Sequence, residues 1–187
     1  TSVTKKIPTG LYRPEVEKEN CSCGLIVQAD NKPSHGLVKT AIHALARLTH
    51  RGAVAADGKT GDGCGLLLKK PDAFLKRVAK SQGFQLADLY ATGMVFLNTD
   101  DKFADKAQQQ LATELTKEGL QVVGWRTVPT DSDACGKEAL KSLPVIEQIF
   151  VNAPEGMDDT AFERHLYIAR RRTENTIKPS DEVFYIP

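Results

Sequence analysis

The chain has 187 residues, 41% hydrophobic and 26% charged, which is enough for one domain with a core, or one domain with a small excursion. Lys and Arg total 25 against 24 Asp and Glu, so the net charge of +1 gives no bulk attraction to nucleic acid or to an anionic membrane. No apolar run reaches the ~20 residues of a membrane span, and the N-terminal TSVTKKIPTGLYRPEVEKEN has no apolar centre of a secretory signal.

In chain order, residues 1–20 are polar with two prolines and read as an extended leader. CGLIVQA (23–29) is a candidate strand, and ADNKP turns the chain. Ser34 caps a helix to about Thr49, whose Leu37, Val38, Ala41, Ile42, Leu45 and Leu48 form one apolar face. HRGAVAADGKTGDGCG (50–65) is a tight glycine-rich loop leading to LLL (66–68), read as a buried strand. Pro71 opens a short helix through Lys80. TGMVFL (92–97) reads as a strand. A helix spans Lys102 to Lys117, and Gly119 stops it. QVVGWRTVP (121–129) is a strand, a loop carries Cys135 and Gly136, and PVIEQIFV (144–151) is the next strand. Helical spacing returns from Asp159, with Phe162, Leu166 and Ala169 on one stripe before RRR (170–172). EVFYIP reads as the opening of a further strand. Strands interleaved with helices make the class α/β or α+β. The strand–helix–strand pattern from 84 to 155 permits a separate excursion.

The candidate sites start from weak local signals. The cysteines at 21, 23, 64 and 135 and the histidines at 35, 43, 50 and 165 lack the paired spacing of zinc or iron–sulfur ligands, so no metal is expected in this segment. Nothing in the cysteine usage asks for an oxidising compartment, so the cytoplasm is the default. TGDGCG (60–65) lacks the lysine and Ser/Thr of a phosphate-binding loop and reads as a sharp turn or a close backbone approach. Asp57 and Asp62 suit a metal or acid/base role, or hold turns through backbone hydrogen bonds, the latter being favoured. The arginine cluster reads as a solvated face, with a partner surface as the alternative. By residue type alone Cys21 stays open between core residue, nucleophile and half of a disulfide with Cys23.

Longer segments narrow this. ENCSCGLIVQ, PSHGLVKTAIHALARLTHRGAVAADGKTGDGCGLLLKKPDAF, GMVFLN, VVGWRTVPT, SLPVIEQIFVNAP, FERHLYIARRR and FYIP together resemble the start of the class II glutamine amidotransferase (glutaminase) domain of glutamate synthase large (alpha) subunits. The resemblance implies an α+β, four-layer αββα sandwich of the N-terminal-nucleophile hydrolase type, present only in part within 21–187. It implies that Asn20–Cys21 is a processing junction, that residues 1–20 are a propeptide, and that Cys21 is the nucleophile releasing ammonia from glutamine. Arg51, Thr60, Gly61 and Asp62 fall on family positions that line or support the pocket. Ser22 stands where the family has glycine, and Cys23 where it has an apolar residue.

The resemblance further implies FMN and an iron–sulfur cluster for the full-length enzyme, and partners in the rest of the large subunit and a small NAD(P)H-oxidising subunit. The family's substrate-gripping arginine and oxyanion-hole Asn-Gly pair are expected beyond residue 187, as is inactivity of the isolated segment. Uncovered sheet edges make self-association an expectation. The competing reading is a non-catalytic homologue that binds or regulates a partner subunit. A third is an amidotransferase serving another acceptor.

Overall fold

The computed structural model describes residues 23–48, 52–61, 63–177 and 184–186. The chain divides into two compact units, Thr1–Ala53 with Gly63–Leu66, and Val54–Asp62 with Leu67–Pro187.

In the first unit the described regular element is helix α1 (His35–Ala46). Ser34 caps it as expected, its hydroxyl accepting from the Leu37 N–H at 3.3 Å. The stripe Leu37, Val38, Ala41, Leu45 and Leu48 is the less exposed face, but Ile42 is exposed and no residue of the helix is buried. The strand expected at 23–29 is not formed: residues 23–28 carry no pairing, and Leu25 and Val27 are exposed. The strand expected at 66–68 is likewise absent, with Leu67 fully exposed. An apolar run becomes a strand only when a neighbouring strand takes up its N–H and C=O groups, and local sequence does not supply that neighbour.

The second unit is α+β. Its strands β1 (Tyr90–Leu97), β2 (Gln121–Thr127), β3 (Val145–Asn152) and β4 (Phe184–Tyr185) form one sheet in the order β2-β3-β1-β4, with every pairing antiparallel. The β1–β3 register runs from Tyr90 opposite Asn152 to Leu97 opposite Val145. Alternation along these strands sends side chains to two faces. Val95, Leu97, Ile149 and Val151 pack against Ala107, Leu111 and Leu115 of α3 (Asp101–Lys117) and Phe162 and Ala169 of α5 (Asp159–Thr176). Tyr90 and Phe150 face the other way, onto Leu75 and Ala79 of α2 (Asp72–Ser81). Helices thus cover both faces of the sheet, and no helix among the described residues is long and apolar enough to cross a membrane.

The helix ends follow from local chemistry. Asp100 and Asp158 cap α3 and α5 through bonds from the Lys102 and Ala161 N–H groups. Gly119, at φ +77°, lets the Leu120 N–H reach back to the Leu115 carbonyl at 3.0 Å and closes α3. The loop expected around Cys135 contains more order than its sequence suggests: a 3-10 turn (Ser132–Ala134) and the short helix α4 (Lys137–Leu140).

Buried Asn152 links the end of β3 to the segment before β1. Its amide accepts from the Ala87 N–H at 2.9 Å and donates to the Gln85 carbonyl at 3.0 Å. Asn152→Ala leaves both backbone groups without a partner and should cost about 2–3 kcal/mol in a urea titration. A loss below about 0.5 kcal/mol would show that water replaces the amide freely.

Each arginine of the 170–172 cluster is paired within the chain. Arg170 lies 3.5 Å from Glu174 and donates to the Ile186 carbonyl, Arg171 pairs with Glu174, and Arg172 pairs with Glu118. Glu118 also meets His165 Nδ1 at 2.7 Å, so one carboxylate at the end of α3 ties two side chains of α5. The half-exposed Arg171 and Arg172 side chains still border solvent.

Candidate active site

Of the site residues implied by the family resemblance, Thr60 and Gly61 are described. Asn20, Cys21, Arg51 and Asp62 lie outside the described residues, as do the leader and Ser22. Cys23, Cys64 and Cys135 are free thiols.

Thr60 and Gly61 end a closed loop. Val54 and Gly61 pair as an isolated antiparallel bridge, and the Ala55 N–H donates to the Thr60 carbonyl at 2.7 Å. Inside it, Asp57 organises the turn, as the sequence reading favoured. Its Oδ1 accepts from the backbone N–H groups of Lys59 at 3.0 Å and Thr60 at 2.8 Å, and its Oδ2 accepts from the Thr60 hydroxyl at 2.6 Å.

The loop is also fastened to α4. Helix α4 starts at Gly136, which has no side chain to cap it. The first-turn N–H groups of such a helix need acceptors. Asp57 Oδ2 accepts from the Glu138 N–H at 3.2 Å, and Thr60 Oγ1 accepts from the Ala139 N–H at 3.3 Å. Lys59 Nζ donates to the Asp133 carbonyl in the preceding turn. Residues some eighty positions away in sequence therefore cap this helix. Gly136 makes the approach possible: a Cβ there would collide with Thr60 Oγ1 and the Thr60 nitrogen, and would lie 2.6 Å from Asp57 Oδ2.

These contacts set the electrostatics of the loop. The Thr60 hydroxyl first, then the Lys59 and Thr60 N–H groups, hold the Asp57 carboxyl far below the usual carboxylate range. Because folding lowers the pKa of this carboxyl, the stabilisation it brings is complete above the ordinary value of 3.8 and is lost as pH falls below it. An NMR titration of the Asp57 carboxyl carbon should find it still ionised at about pH 3. A midpoint at 3.8 would mean that the hydrogen bonds do not persist in solution.

The Thr60 hydroxyl donates to Asp57 and accepts from Ala139, so it acts as a brace within the chain. Sequence reasoning identified the loop but missed Gly136, Glu138 and Ala139. The available signal was the glycine opening KEAL, a helical segment with no cap of its own.

The family profile of glutamine amidotransferases class-II matches residues 21–187. The chain is 39% identical over 167 residues to the glutamate synthase [NADPH] large chain of Bacillus subtilis (strain 168), covering 89% of this chain and 11% of that protein. It is 41% identical over 163 residues to ferredoxin-dependent glutamate synthase 1, chloroplastic/mitochondrial, of Arabidopsis thaliana, covering 86% and 10%. Identity to the glutamate synthase [NADPH] large chain of Azospirillum brasilense is 41% over 169 residues, covering 89% and 11%. The chain spans about a tenth of the length of these curated relatives. With the profile covering nearly all of it and the second unit folded as α+β, the chain belongs to the class-II glutamine amidotransferases and is homologous to part of the glutamate synthase large chain.

Proposed function

We propose that this chain is the glutamine-hydrolysing part of a glutamate synthase, with Cys21 as an N-terminal nucleophile. The observation that carries the reading is where the family match begins: at Cys21 itself, directly after the largely polar residues 1–20 read as a leader. Once residues 1–20 are removed, the α-amine of Cys21 has an ordinary pKa of about 7.7–8.0, suited to accept the thiol proton. Thiol and base then belong to one residue, which keeps them within reach of each other.

The sulfur attacks the side-chain carbonyl carbon of glutamine. A C–S bond forms, the C–N bond breaks, and the amine returns the proton to the departing ammonia. Water then cleaves the glutamyl thioester, releasing glutamate and restoring the thiol. In this reading Arg51 supports the backbone beside the nucleophile, Thr60 braces the pocket loop, and Gly61 and Asp62 border glutamine. The complete fold is the αββα sandwich of N-terminal-nucleophile hydrolases.

The ammonia is used to make glutamate from 2-oxoglutarate, with electrons from FMN and an iron–sulfur cluster and from a small NAD(P)H-oxidising subunit. Those groups fit other segments of such a protein. Among the described residues no three His, Cys, Asp or Glu side chains gather as a donor set, and TGDGCG lacks the residues of a phosphate cradle.

The test compares ammonia release from glutamine by the full natural polypeptide with and without residues 1–20, with N-terminal sequencing of both. Activity is expected only where Cys21 is the first residue. Equal activity with the leader attached would overturn the reading.

A further inference from the structure

We infer that the Asp57–Gly136–α4 contact is a positioning clamp for glutamine binding: segment 131–140 sets the place of the pocket-bordering residue Gly61. This rests on the reading above that the end of the loop at Thr60 and Gly61 borders the glutamine site. Asp57, Gly136, Glu138 and Ala139 are assigned no contact with substrate.

Three observations support the inference. The clamp grips the loop immediately before Gly61, through Thr60 backbone and side chain together. It is made at several points, with Asp57 and Thr60 on the α4 N–H groups and Lys59 on the Asp133 carbonyl. It also has no slack, because a single methyl group at Gly136 would drive into Thr60 and Asp57. A loop fastened only by its own turn bonds can shift as a body. Fastened also to α4, it keeps its end where the β2–β3 connection puts it, since α4 lies between those strands. Positioning of this kind acts on substrate affinity without touching the bond that breaks.

The experiment uses the full natural polypeptide with Cys21 exposed. Asp57→Asn replaces one acceptor oxygen with an amide donor facing the Glu138 N–H and the Thr60 hydroxyl. Gly136→Ala forces the loop away while leaving Asp57 intact. Each is expected to lower kcat/KM for glutamine by about 10- to 100-fold, mainly through a raised KM. The rate of Cys21 alkylation by iodoacetamide should stay at the parent value.

Tyr90→Phe serves as the control. It removes the 2.8 Å bond from the Tyr90 hydroxyl to Asp72 at the start of α2, a small loss of stability that involves none of the clamp's hydrogen bonds, and should leave KM unchanged. Wild-type protein supplies a measurement independent of variant folding: saturating L-glutamate, the product, should slow hydrogen exchange at the Glu138 and Ala139 amides.

An unchanged KM in both variants, or a rise in KM equal to that of Tyr90→Phe, overturns the clamp. Unchanged exchange at Glu138 and Ala139 overturns it as well. Gly61→Val separates the two readings. If it raises KM while Asp57→Asn and Gly136→Ala do not, the pocket reading stands and the clamp fails. If Gly61→Val also leaves KM unchanged, the pocket reading itself fails, and the clamp with it.

Discussion

Replacing Cys21 by alanine should lower glutamine turnover by at least about 10,000-fold. In the proposed mechanism the loss is large because the sulfur forms the covalent intermediate, and neither the neighbouring amine nor the pocket residues could take its place. Cys21→Ser is expected to be nearly as damaging, since a hydroxyl is far less ionised than a thiol near neutral pH. Ammonia release measured at saturating glutamine checks both. Retaining residues 1–20 should match the alanine variant in effect, for a different reason: the nitrogen of Cys21 is then an amide and has no basic lone pair. Turnover within tenfold of the parent in the alanine variant would place the nucleophile elsewhere.

Phe150→Ala should be the most destabilising of the substitutions considered, at about 3–5 kcal/mol. Phe150 is completely buried in β3. Its ring meets Phe84 with centroids 5.8 Å apart, in a cluster with Leu75, Ala79 and Tyr90. This cluster is the contact between α2 and the sheet. The expected fall in melting temperature is on the order of 10 °C. A loss below about 1 kcal/mol would show that α2 does not close that face in solution.

The two substitutions probe different things. Cys21→Ala should leave the melting temperature of the sheet unit unchanged, whereas Phe150→Ala removes stability without touching a residue of the proposed chemistry. A variant of one kind behaving like the other would mean that stability and catalysis are coupled more tightly than the contacts described.

Much of the secondary structure was legible in the residues themselves. Helix α1 announced itself by Ser34 and an apolar stripe, α2 by Pro71, and α3 by its spacing and Gly119. These signals are local: a cap, a stop and a period of 3.6 residues need only a few neighbours in sequence. Strands β1, β2 and β3 were equally readable as apolar runs between turns. The same rule failed at 23–29 and 66–68, where an apolar run has no described partner strand.

The family was also legible, because HRGAVAADGKTGDGCG and its companion segments are long and specific, and the profile match over residues 21–187 bears this out. Sequence alone thus determined the family, helices α1, α2, α3 and α5, and the loop at 50–65. Tertiary structure decided the order β2-β3-β1-β4, the two helix-covered faces of the sheet, and the capping of α4 by Asp57 and Thr60. The reason is separation along the chain: hydrogen bonds between groups some eighty residues apart depend on how intervening elements pack, and no local pattern around Asp57 or Gly136 encodes their meeting.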